Sequence, residues 1–579
     1  MIFRPSLLFA LIVITSAAAL AQSGGTNPQN TLLPEINPQD IEIRSEFRAR
    51  FPGLRRQPIL GFNPKPRVFQ IDPNRMPFME SREQAVASIA ITQLDRPEPP
   101  ARSVLPTPSR TNVYLKGGFG SFITPEADAY FYQGLGSKST LTGDFSLLTS
   151  DGHLDDQASG FRFMDGDVRF YSKVKKDLAV ESSIGFLSDF NRLYNLDPLY
   201  QDVIGETTRK DYLGLSWNAA LHQTKNALEG LTTELTVSHF EADLDAGDNT
   251  TRNNGNLISG NSSEQYVHVE ANKYWPGSRL YETLGINAQL TTGRYDAANS
   301  ASQNIFLGTL GAEYKKLINF NMHATGAFNI AYVSDGLENK FYIAPEAELS
   351  YNLKDALLVK GGIKAGPFLT NLQEHYQINR FLNTATTLRH SYQSKAFGEI
   401  GLQLFEGNRV YGGLSYQITR NRAYYQRVSE IRIGQDYALF YTINYEKSST
   451  FELFGGITQQ LNPEQFWFDA KIYARRPKLD SGADIPYEER FGVTASLNYH
   501  LEKSLLLSTW FDVIGKRQSP TNNRELGTIG LVNVKAEYEF SDRFGVYAKV
   551  LNILGQKYEV WDGYQERPFQ LFGGIIIKL

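Results

Sequence analysis

The sequence predicts an all-β fold: a large, closed, antiparallel transmembrane β-barrel of about 22 strands, preceded by a proline-rich irregular arm. Three observations predict it. Apolar and polar residues alternate through one segment after another, as strands do when one face is greasy and the other wet. Tight turns and long polar loops take turns in connecting these segments. The chain also stops inside a hydrophobic strand. Such a strand must pair or leave an adhesive edge, and pairing it with the first strand of the sheet closes a barrel.

Residues 1–21 read as a secretory signal peptide, with Arg4 as the charged start, Leu7 to Ile14 as a short apolar run, and Ala19-Leu20-Ala21 as a small-residue cleavage site. The run is too short for a membrane-spanning helix. Cleavage near Ala21 would deliver the chain to the cell outer membrane of a Gram-negative type of envelope. The chain contains no cysteine, which excludes a cysteine-linked lipid anchor, disulfides and cysteine-ligated metals.

Residues 22–110 form the arm. They hold 14 of the 25 prolines, and eleven arginines against one lysine. Proline at this density forbids long ladders and favours irregular, extended backbone. Only Glu83 to Leu94 has the pattern of a short helix or strand. Twelve basic residues face nine acidic ones in the arm, while the whole chain carries −4. With the arm's +3 and Arg4 set aside, residues 111–579 carry −8. The arm is either a disordered periplasmic leader or an ordered segment, lumenal or periplasmic, that enters the barrel or docks a partner. In the lumenal case Arg44, Arg48, Arg50, Arg55 and Arg56 would meet acidic wall residues such as Glu537 and Glu539.

Residues 111–579 form the barrel. Asn112 to Gly120 is the first strand candidate, and similar segments recur to the C-terminus. The cleanest is Phe491 to Leu501, with Phe491, Val493, Ala495, Leu497, Tyr499 and Leu501 on one face. Tight connections are expected at Lys175 to Asp177, Lys316 to Asn319, Leu353 to Asp355, Glu502 to Ser504 and Ser541-Asp542. Long ones are expected at Asn191 to Thr208, Asp243 to Ser263, Thr370 to His390 and Lys516 to Gly527. Short turns at one end and long loops at the other describe an outer-membrane barrel with periplasmic turns. At roughly 21 residues per strand and connection, this length gives about 22 strands. The 31 tyrosines and 36 phenylalanines would supply aromatic girdles at the two interfaces.

At the C-terminal end, Leu531 to Phe540 alternates strictly, and Ser541-Asp542 turns the chain into Phe544, Val546, Ala548 and Val550. By alternation Val534 and Val546 face lipid, while Lys535, Glu537 and Lys549 face the lumen. A polar and aromatic loop, Gln556 to Pro568, leads to the final strand ending at Leu579. The run from Val550 to Tyr564, with Asn552-Ile553-Leu554, Lys557-Tyr558 and Gly563-Tyr564, resembles the end of a TonB-dependent receptor barrel. The resemblance implies passage or uptake of a solute across the outer membrane. Two departures accompany it. Leu579 stands where such barrels usually end in an aromatic residue, and the arm has no motif of the globular plug that precedes those barrels. Asp40-Ile41-Glu42-Ile43 is a short, degenerate candidate for TonB contact. The missing plug keeps a second reading open: a structural barrel in a multi-protein envelope complex, filled or gated by a partner.

No catalytic constellation is expected, and the chain is not read as an enzyme. Ser496, Asn498 and His500 share a strand face, but they stand in a row with Asn498 between the other two, not as nucleophile, base and orienting group. The eight histidines never reach metal-ligand spacing. Asp243, Asp245 and Asp248, placed in a long loop, lack the calcium-loop order because Gly247 precedes Asp248. No glycine fingerprint for a nucleotide follows a strand. Hence no cofactor and no metal are expected. The expected partners are outer-membrane lipid and a periplasmic or lumen-filling protein, not nucleic acid. Substrate-binding residues carry no recognisable motif.

Overall fold

The computed structural model describes residues 112–579 except 155–158, 195–208, 227–228, 246–259, 279–281, 298–300, 354–355, 384–385, 406, 428–430, 434–435, 439–440, 462–464, 503 and 521–523. The signal peptide, the arm, its arginines and Asp40 to Ile43 lie outside the described residues.

A single sheet of 22 strands closes on itself, every pairing antiparallel. Each barrel strand pairs with the next along the chain. The first, Val113–Gly120, also pairs with the last, Gln570–Lys578. Closure leaves no sheet edge, so backbone groups in the hydrocarbon layer find partners within the ladder. Strand-forming segments fall where the alternation placed them, and Phe491–Glu502 is one. Among the described residues the sole helix is Leu372–Ile378, in the loop between strands Leu357–Leu369 and His390–Leu402. Three small hairpins decorate other long loops: Ile431–Ile433 with Asp436–Ala438, Arg517–Gln518 with Glu525–Leu526, and Glu559–Trp561 with Tyr564–Gln565. The helix and all three hairpins stand at the end opposite Asn112 and Leu579.

The two faces separate as the alternation requires. Val546 is 41% and Tyr538 47% exposed on the outer face, whereas Lys535 and Glu537 are 2% and 1% exposed on the inner face. Leu571, Ile575 and Leu579 continue the outward row of the last strand. Inward charges are paired within the wall. Lys535 meets Glu537 at 2.5 Å, and Lys578 meets Glu539. The two glutamates expected to meet the arm's arginines therefore already have cations from their own wall. At the seam, Glu126 accepts from the Tyr547 hydroxyl at 2.6 Å and from Lys549 at 2.5 Å, and Lys116 bonds Asp128 at 2.7 Å. Tyr547 lies so close across this seam that a Cβ at Gly118 would sit 2.0 Å from its hydroxyl, and one at Gly574 would sit 2.2 Å from the Gly117 carbonyl. Only glycine lets the first and last strands approach beneath that ring.

Two boundaries differ from expectation. Lys316 to Asn319 is not a turn; it ends the strand Gln303–Asn319, and the chain reverses at Phe320-Asn321. Lys315 lies over the Tyr274 ring at 4.7 Å and Lys316 reaches Glu282 at 3.5 Å, so long charged side chains sit at a strand end while their stems cover the wall. Asp243 and Asp245 belong to the strand Glu229–Asp245, paired with Asp211 and Arg209, and not to a loop. The ladder runs on past the point where apolar alternation fades. Asp248 lies outside the described residues.

The face assignment predicts that Val546→Arg, introducing a charge on the lipid face, costs about 2–4 kcal/mol. Lys549→Arg keeps the pairing with Glu126 and should cost under about 1 kcal/mol. Equilibrium unfolding in a bilayer or detergent checks both, and equal effects at the two sites would reverse the face assignment.

Candidate functional site

The site is the mouth of the barrel, at the long-loop end. Two loops fold inward there: residues 370–389, carrying the helix, and residues 552–569, carrying the last hairpin. They leave the wall at points separated by eight strands on the shorter way round the ring.

Local sequence shapes each loop. In the first, Asn371 accepts from the Glu374 amide at 2.8 Å, and the Glu374 carboxylate accepts from the Asn371 amide at 3.2 Å. This reciprocal cap satisfies donors that a helix end otherwise leaves open. In the second, Asn552 takes φ 49° and Gly555 φ 61°, left-handed conformations that Asn and Gly accept most readily. The Asn552 side chain bonds both the amide and the carbonyl of Gln556, and Gly563 at φ 91° turns the hairpin. The residues that carry the family resemblance therefore encode a structured turn at the mouth.

The first loop is fastened to strands on both sides. Leu372 N–H donates to Glu264 at 2.7 Å, and the Tyr212 hydroxyl donates to the Arg380 carbonyl at 2.6 Å. Lys210 donates to the Leu382 carbonyl. Tyr295 donates to Thr386 at 2.9 Å, and the Gln303 side chain holds both the amide and the carbonyl of Leu388. From the other side, Tyr441 exchanges backbone bonds with Phe381 and Asn383 at 3.0 and 2.8 Å, and the Tyr425 hydroxyl meets His375 Nδ1 at 2.9 Å. The second loop is held through Asp562, which meets Arg427 at 3.1 Å, Ser519 at 2.8 Å, and Arg524.

The loops meet over the lumen. The Phe381 and Tyr564 rings stack with centroids 3.5 Å apart and planes 11° from parallel. Tyr194 sets its edge against both rings, and Trp561 packs among Tyr425, Tyr441 and Tyr487. Each such pair adds about 0.5–1.5 kcal/mol beyond its buried area. Arg380 joins the two loops by an ion pair with Glu566 at 3.3 Å. Beside this joint lies a cavity of about 330 Å³, counting the solvent at its opening. Its wall carries Arg192, Arg380 and Arg567 against one carboxylate, Glu566, over the Phe161 ring, beside His153, whose pKa burial lowers. Burial pushes Arg567 down to about 10, with Glu566 opposing and Arg380 adding to the effect.

Ser496, Asn498 and His500 stay in a row along the inner wall, opposite Trp510, Ser508 and Leu506 of the neighbouring strand. Sequence reasoning missed the first loop, reading it as long and polar. One legible signal was there: Asn371 with Glu374 three residues on, a capping pair ahead of Leu372.

The first loop carries two groups with opposed titrations. Burial lowers His375 from 6.5 to about 3. Burial raises Glu374 from 4.5 to about 7, against the amide bond from Asn371. Below pH 6.5 an opened loop binds a proton on His375 that the closed loop refuses, so through His375 closure weakens as pH falls. Above pH 4.5 an opened loop releases a proton from Glu374 that the closed loop keeps, so through Glu374 closure weakens as pH rises toward 7. The two trends oppose each other between pH 4.5 and 6.5. Relative to wild type, the hydrogen-exchange protection factors of residues 370–389 should shift toward loosening at low pH in Glu374→Gln and toward loosening at high pH in His375→Phe; shifts of the same sign in the two variants would contradict this pairing.

No family model and no curated protein matches the sequence. Solved structures do. A mutant of the ferric enterobactin receptor PfeA from Pseudomonas aeruginosa aligns with a TM-score of 0.62 at 12% identity, over 81% of this chain and 80% of that one. The FrpB iron transporter from Neisseria meningitidis gives 0.63 at 10% identity, over 81% of each chain. The ferric-catecholate import receptor Fiu from E. coli K12 gives 0.60 at 9% identity, over 82% of each. At these identities the likeness is one of fold: this chain shares the barrel of these receptors and this transporter.

Proposed function

We propose that the chain is an outer-membrane barrel that admits a solute when the two mouth loops part. One observation carries this reading: two loops from distant parts of the ring stack Phe381 on Tyr564 across the lumen. A barrel of 22 strands encloses more space than its wall side chains fill, so a device that crosses the mouth controls passage. The fold likeness to proteins described as an iron transporter and as ferric siderophore receptors supports uptake and leaves the solute of this chain open. The arm, residues 22–110, is proposed to fill the lumen from the periplasmic end. It is tethered at the first strand, so its effective concentration there is high.

The mature chain should fractionate with outer membranes and show heat-modifiable migration on a gel; recovery as a soluble periplasmic protein defeats the reading. Gating is read in planar bilayers in a chain lacking residues 23–105. With both loops intact this barrel should conduct weakly. Replacing residues 372–388 by a short Gly-Ser linker should open a wide pore and sensitise cells to large antibiotics. Full conductance with the loops intact removes them as the gate. Stoichiometric co-purification of a partner from native membranes would instead make the barrel a subunit of an envelope complex.

A further inference from the structure

The cavity beside the loop joint holds more cation than it can use. Arg567 stacks on Phe161, its guanidinium 4.7 Å from the ring centroid, and its Nη1 is buried with no hydrogen-bond partner. The adjacent carboxylate, Glu566, is engaged with Arg380 at 3.3 Å. His153 donates from Nε2 to the Gln565 carbonyl at 2.9 Å, so its ring is fixed beside the cavity and the arginines supply the donors there. A buried donor left unbonded is costly, and more so when charged. The rings of Phe161, Phe163 and Phe381 lie 5.2 to 5.8 Å from the Arg380 guanidinium, so aromatic faces hold both guanidinium groups in place.

We infer that this cavity binds a small oxyanion, a carboxylate or a phosphate, through Arg567 and Arg380 in competition with Glu566. Guanidinium groups present paired N–H donors in a fixed fork that matches the two oxygens of such a group. With the solvent at its opening set aside the cavity is narrow, so it takes the acid group of a solute and little more. Arg380 belongs to one loop, and Glu566 and Arg567 to the other. An anion that draws Arg380 away from Glu566 replaces the ion pair joining the loops, so occupancy and loop closure are linked. This use of the site rests on the uptake reading; the binding does not.

The experiment is calorimetric titration of the purified full-length protein at pH 7 with acetate, citrate and inorganic phosphate as separate probes. At least one probe should bind saturably at a single site, and the preferred probe separates carboxylate from phosphate. Arg567→Gln should weaken it about tenfold through loss of a charge-assisted pair. Glu566→Gln removes the competing carboxylate and should tighten it severalfold. Native, heat-modifiable migration verifies that each variant is folded. If Arg567→Gln does not insert, Arg567→Lys keeps the charge without the fork and should weaken binding by a smaller factor. No saturable binding up to about 10 mM, or weaker binding in Glu566→Gln, overturns the site. A barrel that conducts on loop removal yet binds no probe loses this inference and keeps the uptake reading.

Discussion

A backbone amide or carbonyl that crosses a bilayer unpaired has nothing to bond, and the rest of this structure depends on avoiding that. One pairing completes the solution: Tyr114 to Gly120 against Lys578 to Phe572. Once the sheet closes, every strand has one face toward lipid and one toward the lumen. The chain can then place Leu115, Ile184 and Ile575 outside, and Lys116, Glu126 and Lys535 inside, along segments whose mean hydropathy is that of a soluble protein.

The inner face obeys a second rule. A buried charge is tolerated when it is paired and hydrogen-bonded. Lys116, Glu126, Asp128 and Lys549 satisfy one another across four neighbouring strands at the seam, with Tyr547 closing the set. The mouth loops follow the same rule at larger scale. Their backbone groups are met by Lys210, Tyr212, Glu264, Tyr295 and Gln303, polar side chains at the upper ends of the wall. The joint between the loops is less complete, since Arg567 and His153 keep buried atoms unbonded there.

The barrel was legible because period-two patterning is local. Leu531 to Phe540 declares both faces by itself, and the tight turns fall between such runs. Strand ends were less legible: Lys316 to Asn319 reads as a turn but extends a strand, because Glu282 on the neighbouring strand receives Lys316. The mouth was hardly legible at all. Lys210 and Leu382 are 172 positions apart, and Arg380 and Glu566 are 186 apart. A polar loop that folds inward has the same composition as one that stays in water. Only its distant partners distinguish the two cases, and a single sequence does not reveal them. The aromatic residues of the second loop, Tyr558, Trp561 and Tyr564, were visible, but not the ring of Phe381 against which Tyr564 lies.

The short first strand has a consequence for the order in which the molecule assembles. Consecutive strands are neighbours in sequence, joined by a brief turn or by a single loop, so each hairpin forms at a modest entropic cost. The seam instead joins groups as distant as Ser121 and Leu571, 450 positions apart, and loop-closure entropy defers such contacts until most of the chain is already ordered. The strand that must complete this step has eight residues, while the longest in the sheet has 21. A nearly finished barrel can therefore exist as a curved, open sheet whose two free edges await only this last, short ladder. The glycines under Tyr547 then govern the speed of maturation, because a side chain at Gly118 or Gly574 would obstruct the final zipping while leaving every earlier hairpin untouched.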